Sequence, residues 1–185
     1  MERDPDRKDQ VLVPTDLTES FQPIIGQPVT LRPLRREDAD IEAAFLTGLS
    51  QGSRHNRLLG GLVRITREYV EKLTTVDYSR DMALAAALML EDREVLIGVA
   101  RYVLEPGGEA CEFALVIADA WQGRGIGRRM MAKLIAVARS RGLERIYGDV
   151  LSTNRPMLAF CRQLGFALAR HPEDATVTRA TLSLA

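Results

Sequence analysis

The sequence has 185 residues, enough for one domain with a short tail, and 46% of them are apolar, enough to build a core at that size. Lys and Arg total 25 and Asp and Glu total 25, so the formal charge is zero, which argues against a general nucleic-acid binder. Two cysteines (Cys111, Cys161) and two histidines (His55, His171) exclude a disulfide scaffold and argue against a metal centre.

Residues 1–20 are charged and lack periodicity, so a flexible leader is expected there, with a single domain over 21–185. The charged start carries no long apolar run and does not resemble a signal peptide. Val29–Arg32 alternates as a first strand, ended by Pro33. Arg35–Leu49 has helical spacing, with Ile41, Ala44, Phe45 and Leu49 on one face. Residues 50–61 are turn-rich, with room for one short helical turn, and Thr66 can cap a helix reaching Leu73. Met82–Met89 and Val95–Leu104 are two apolar segments around Glu91–Glu94, the pattern of a hairpin; the alanines and leucines of the first also suit a helix. At nine residues, Met82–Leu90 is the longest apolar run and too short to cross a bilayer, so a cytoplasmic protein without a membrane partner is expected.

Cys111–Ile117 is a continuous apolar strand broken only by Glu112. Gly125–Arg139 is an amphipathic helix, with Ile126, Met130, Leu134, Val137 and Ala138 inward and Arg128, Arg129, Lys133 and Arg139 outward. Ile146–Leu151 is a strand, Pro156–Leu164 a helix, and 167–184 two strands around Pro172-Glu173-Asp174. Strands and helices in this order make a mixed α+β domain.

Zero net charge conceals a distribution. Residues 124–145 hold seven bases against the single acid Glu144, and the run begins inside Gln122-Gly123-Arg124-Gly125-Ile126-Gly127. Glycines let a backbone turn sharply and approach a ligand closely, and the following helix points unpaired N–H groups and positive dipole into that turn. Together they suit a diphosphate, to which Arg124 and Arg128 can add charge-assisted bonds. The Lys-Ser/Thr pair of P-loop enzymes is absent, and the glycine spacing does not fit the dinucleotide G-x-G-x-x-G fingerprint.

Gln122-x-x-Gly125-x-Gly127 after an apolar strand, followed by Asn154-Arg155-Pro156-Met157 and Leu164-Gly165-Phe166, resembles the GNAT N-acetyltransferases over roughly residues 27–184. Ser53–Leu58, Asp81–Leu84 and Val150–Met157 narrow the resemblance to bacterial protein lysine acetyltransferase domains, which are often fused to acyl-CoA synthetase-like or cyclic-nucleotide-binding parts. At 185 residues, the resemblance implies a free-standing form or one excised from a larger protein. It implies a mostly antiparallel sheet flanked by helices, with a splayed strand pair forming a wedge for acyl-CoA. Acetyl-CoA would be the co-substrate, with no metal. Main-chain groups of Val116 and Ile117 would hold the pantetheine arm. Gln122 opens the loop, and backbone N–H groups across Gly123, Arg124, Gly125, Ile126, Gly127 and Arg128 would hold the pyrophosphate. Asn154 would touch the pantetheine arm or a nearby water.

Strand alternation puts Glu112 on one face with Ala114 and Val116, opposite Cys111, Phe113 and Leu115. A carboxylate in an apolar wedge has a raised pKa, which suits a general base for an ammonium substrate. Many relatives place a Tyr, as acid for the leaving thiolate, where this chain has Cys161, here read as packing. Tyr147 and Tyr102 are reserve candidates, His55 is expected in solvent, and Trp121, Met130 and Met131 in packing. The chain has only three lysines, Lys8, Lys72 and Lys133, so an acetylated lysine is expected on a partner. Three readings follow: transfer to a protein lysine, transfer to a small amine, and a silent acyl-CoA-binding module. Oligomeric state is left open.

Overall fold

A computed structural model of the chain describes residues 14–185. Most of the expected leader, residues 1–13, lies outside the described residues.

Eight strands form one sheet in the order β1-β2-β3-β4-β5-β6-β8-β7. They are β1 (Glu19–Phe21), β2 (Val29–Pro33), β3 (Met82–Leu90), β4 (Arg93–Leu104), β5 (Ala110–Ile117), β6 (Arg145–Leu151), β7 (Ala167–Arg170) and β8 (Val177–Ser183). Every neighbouring pair is antiparallel except β5 and β6. The helices are α1 (Ala39–Gly48), α2 (Gln51–Arg57), α3 (Arg67–Thr74), α4 (Ile126–Ser140) and α5 (Arg155–Gln163). The fold is the mixed α+β architecture expected, an open and mostly antiparallel sheet with helices on both sides.

Met82–Leu90 is a strand, paired on both edges by β2 and β4. Its helix propensity is overridden because both faces are buried. Ala83, Ala85 and Ala87 face the side covered by α1 and α3, while Leu84, Ala86 and Leu88 face α4. Small residues at the sheet's centre let helices approach from both sides.

Three elements differ from expectation. Glu19–Phe21 adds a strand before Val29, joined to β2 through the turn that carries Ile24 and Ile25. Residues 51–57 form a full helix rather than a single turn; Ser50 caps it by accepting the N–H of Ser53. Helix α1 is rotated, so that Glu42, Phe45 and Leu46 are buried and Ala44 is exposed.

That rotation puts Glu42 in the core at 1% exposure, with Oε2 lacking a hydrogen-bond partner. Burial pushes its carboxyl up to about 7, and the charges of Arg101 and Arg57 only partly oppose this. The folded state then holds a proton that the unfolded chain, at 4.5, has released. Stability therefore falls as pH rises from about 4.5 to about 7 and levels off above. Glu42→Gln is expected to remove that slope and to raise stability at pH 8 by about 1–3 kcal/mol. Thermal melts of both proteins from pH 5 to 8 check it; parallel curves contradict it.

Candidate active site

β5 and β6 pair only at Ala110↔Arg145, Cys111↔Ile146 and Glu112↔Tyr147, and then part. β5 continues to pair with β4 on its other edge as far as Ile117. From Phe113 onward, β5 thus offers one main-chain edge to a ligand, as an edge strand does. A cavity of about 540 Å³ opens there, lined by Glu112 through Ile117, by Asp149 and Val150 of β6, and by Asn154, Met157 and Phe160. Gly148 keeps the wedge open: a Cβ there would stand 2.6 Å from the Phe113 ring. Phe113 packs edge-on against Phe166 at 5.2 Å, under the fork of the strands.

The loop after β5 reaches the same cavity through Gln122, Gly123, Gly125, Gly127 and Arg128. Gly123 (φ 72°) and Gly125 (φ 85°) are left-handed, a conformation that strains any residue with a Cβ. The first helical bond of α4 runs from Arg129 N–H to Gly125 O at 3.1 Å. The N–H groups of Ile126, Gly127 and Arg128 are therefore left for an anion, aided by the helix dipole. The Ile126 side chain is buried in the core, so only its main chain serves the loop.

Side chains brace this loop. Gln122 Nε2 donates to Ile117 O at 3.0 Å and to Ser53 Oγ at 3.3 Å. Asp119 accepts from Ser50 N–H (3.0 Å), Ser50 Oγ (2.7 Å) and Ser53 Oγ (2.8 Å), tying α2 to the end of β5. Those bonds hold its carboxyl down at about 2. Arg124 lies over the Trp121 ring at 4.7 Å and donates to Ile25 O at 3.2 Å, so its guanidinium is turned to the β1–β2 turn. Ile24 N–H donates to Arg124 O at 3.2 Å, and Ile24 lines the cavity beside Gly125. Arg128 stays exposed and lines the cavity.

Glu112 stands at the apex of the wedge, where the strands part. It is exposed rather than enclosed by apolar groups, because β6 diverges just beyond it. Its pKa is still raised: partial desolvation is the largest cause, and the charge of Asp149 adds to it, against Arg179 and Arg57. Val116 and Ile117 are buried, but only one of them serves the free edge: the β4–β5 ladder, with Glu105 N–H on Ala110 O and Ala118 N–H on Ile97 O, turns the main-chain groups of Val116 to Val99 and leaves those of Phe113, Leu115 and Ile117 on the open side. Asn154 lines the cavity while its Oδ1 caps α5 by accepting Met157 N–H at 3.3 Å. Cys161 is buried in the core at 1% exposure, and burial pushes its thiol up to about 11. Tyr102 is buried on the α4 side of the sheet, away from Glu112. Tyr147 pairs in register with Glu112, its ring under Arg179 at 4.7 Å. His55 is exposed on α2.

The structure brings to the cavity residues to which the sequence assigned no site role: Ile24, Ser53, Asn56, Arg57, Leu59 and Asp149 also line it. Asp149 carried a readable signal, since it is the single acid of an otherwise uncharged run, Ile146–Leu151. Ser53, Asn56 and Arg57 belong to the Ser53–Leu58 stretch that carries the narrower resemblance, but their place at the cavity, like that of Ile24 and Leu59, comes from tertiary packing. Among the described residues, no group of His, Cys, Asp or Glu could hold a metal ion, and no helix is long and apolar enough to cross a membrane.

Residues 62–166 match the family model described as Acetyltransferase (GNAT) family. The acetyltransferase PA5475 of Pseudomonas aeruginosa is 38% identical over 160 residues, 86% of each chain. Among solved structures, the GNAT domain of S. lividans PAT superposes with a TM-score of 0.81 at 25% identity, covering 92% of this chain and 98% of that one. The acetyltransferase yncA of Salmonella typhimurium, solved with its cofactor acetyl-CoA, superposes at 0.67 with 19% identity, covering 85% of this chain and 94% of that one.

Proposed function

The chain belongs to the GNAT acetyltransferase family, and from that premise we propose that it moves the acetyl group of acetyl-CoA directly to a protein lysine, such as one on a metabolic enzyme of the acyl-CoA synthetase kind. A fold relative is solved with acetyl-CoA. The free N–H groups at the start of α4 and the free edge of β5 suit a diphosphate and a pantetheine arm respectively.

One observation carries the protein acceptor. On the side of the sheet that bears Glu112, the apolar cluster under α1 and α3 stops at β5, and β6, β7 and β8 contribute no residue to it. Tyr147, Asp149, Arg179 and Thr181 stay partly exposed there. A lysine on another protein's surface can reach Glu112 along these strands, whereas a small-amine enzyme encloses its substrate in a pocket. Two buried free thiols, Cys111 and Cys161, fit a reducing compartment, so the reading places the reaction in the cytoplasm.

In this mechanism the Glu112 carboxylate removes a proton from the lysine ammonium, directly or through water. The amine nitrogen then bonds to the thioester carbon, and the carbonyl electron pair moves to oxygen. A β5 main-chain N–H on the open edge, that of Leu115 or Ile117, stabilises that oxyanion. Collapse breaks the C–S bond, CoA departs as thiolate, and the remaining nitrogen proton passes to solvent or to the thiolate. No strong acid is needed for a thiolate, so Cys161 in the core is no obstacle.

The test is mass spectrometry of a lysate, or of a purified acyl-CoA synthetase, incubated with the protein and acetyl-CoA. New acetyl-lysines that depend on the enzyme are expected. Acetylated polyamines or amino acids with unmodified protein lysines would move the reading to a small-amine enzyme. Acetyl-CoA binding with no acceptor modified would make the chain a binding module.

A further inference from the structure

Glu112 has a second carboxylate beside it on the same side of the sheet. Gly148 faces the Phe113 ring, so alternation turns Tyr147 and Asp149 to the opposite side, the side of Glu112. Glu112↔Tyr147 is the last β5–β6 pair, and Asp149 follows two residues later, about 6–7 Å farther along its strand. Asp149 and Glu112 therefore flank the point where the strands part, and both line the cavity.

Asp149 is also fixed. Arg179, its register partner on β8, donates Nε to Oδ1 at 2.8 Å and Nη2 to Oδ2 at 2.9 Å, a two-pronged clamp that leaves the carboxylate little freedom. His171 Nε2 lies 2.8 Å from Arg179 Nη2 and 3.5 Å from Asp149 Oδ2, backing the pair from the end of β7. The clamp uses one lone pair on each oxygen, so Asp149 keeps acceptor capacity. Its side chain remains 13% exposed.

We infer that Asp149, oriented by Arg179, binds the acceptor's ammonium at the strand fork and presents it to Glu112. Its ligand is thus a primary ammonium on a flexible alkyl chain, as in lysine. The inference rests on the acetyl-transfer reading, but its role differs from that of Glu112: Asp149 holds the charged substrate, whereas Glu112 takes the proton. A neutral or anionic acceptor would gain nothing from such a pair.

The groups facing Glu112 are Asp149 and Tyr147 of β6, Arg179 of β8, Arg57 at the end of α2 and Glu105 in the β4–β5 turn. Asp149 pushes the Glu112 carboxyl up, so its removal has a signed consequence. In Asp149→Asn, which preserves shape, the acid limb of kcat/KM is expected to move to lower pH. KM for Nα-acetyl-lysine amide is expected to rise about tenfold or more, with kcat changed less than about threefold. Asp149→Glu, which keeps the charge, is expected to recover much of the loss. Acetyl-CoA affinity, measured by calorimetry, should stay within about threefold of wild type, as it would not in a misfolded variant.

Binding can be read without turnover by titrating Nα-acetyl-lysine amide into the wild-type and Asp149→Asn CoA complexes. Equal affinities, an unmoved acid limb, or no binding to wild type overturns the inference. If wild type transfers acetyl groups and Asp149→Asn keeps its KM, only this inference falls; if wild type acetylates no amine, the function reading falls. A crystal structure of wild type with CoA and the same lysine probe decides the matter with no variant. An ammonium nitrogen about 3 Å from an Asp149 oxygen is expected, and one beyond hydrogen-bonding reach overturns the assignment.

Discussion

Glu112→Gln is expected to bind acetyl-CoA as tightly as wild type and to turn over about 10²–10⁴-fold more slowly. The amide keeps the size and most of the polarity of the side chain, and the residue is exposed at the strand fork rather than buried in the core, so the fold has little to lose. What disappears is the group that accepts the proton. The raised pKa gives the result a second signature. Turnover needs the carboxylate ionised, so wild-type kcat/KM falls as pH drops through the raised pKa of Glu112, and the variant lacks that limb. Steady-state rates from pH 5 to 9 on both enzymes measure it. Undiminished turnover in the variant would remove Glu112 from the mechanism. Glu42, pushed up to about 7, titrates within that span, so a Glu42→Gln background separates its stability effect from catalysis.

The second large effect is expected from Gly127→Glu. Gly127 is the second residue of α4, and a Cβ there meets Leu115 at 3.4 Å and Phe160 at 3.7 Å, contacts that need at most slight adjustment. An acid in a first helical turn complements the dipole, and Glu is a better helix former than Gly, so the melting temperature should hold or rise. The same carboxylate would stand among the N–H groups offered to the pyrophosphate. Like charges about 4 Å apart at a protein surface repel by about 4 kcal/mol, so Kd for acetyl-CoA should rise about 100-fold or more. Opposite signs on stability and affinity separate this from simple damage. Calorimetric titration alongside a thermal melt reads both, and unchanged affinity would mean that the diphosphate lies elsewhere.

The donor side of the molecule was legible in the sequence because its determinants are local. The glycines of 123–127, the apolar strand before them and the amphipathic helix after them follow one another in the chain, and local geometry dictates their shape. Glu112 was legible for the same reason, as a lone charge in an apolar run. Its surroundings were not, because the exposure depends on where β6 leaves β5. Glu19–Phe21 was hidden among charges, since an edge strand need not bury an apolar face. The rotation of α1 was hidden because periodicity cannot say that Glu42 will face inward. Arg124 looked like a ligand to an anion by its position, and only the fold reveals Trp121 and Ile25 as its partners. Met82–Leu90 was ambiguous locally and resolved by strands on both edges.

The β1–β2 turn and α2 reach the cavity from sequence that precedes the span the family model matches. That span, 62–166, includes the glycine loop, Glu112, Asp149 and Asn154, but not Ile24, Ser53, Asn56, Arg57, Leu59 or Arg179. The kinship it expresses is therefore one of donor machinery and of the two carboxylates at the strand fork. Two members of the family can share the machinery that grips CoA and still greet different acceptors, because much of the threshold the acceptor crosses is built from residues the shared pattern never touches. A fragment trimmed to the matched span would keep the loop yet lose Ile24 beside Gly125, the Asp119 tether to Ser50 and Ser53, and the Arg179 clamp.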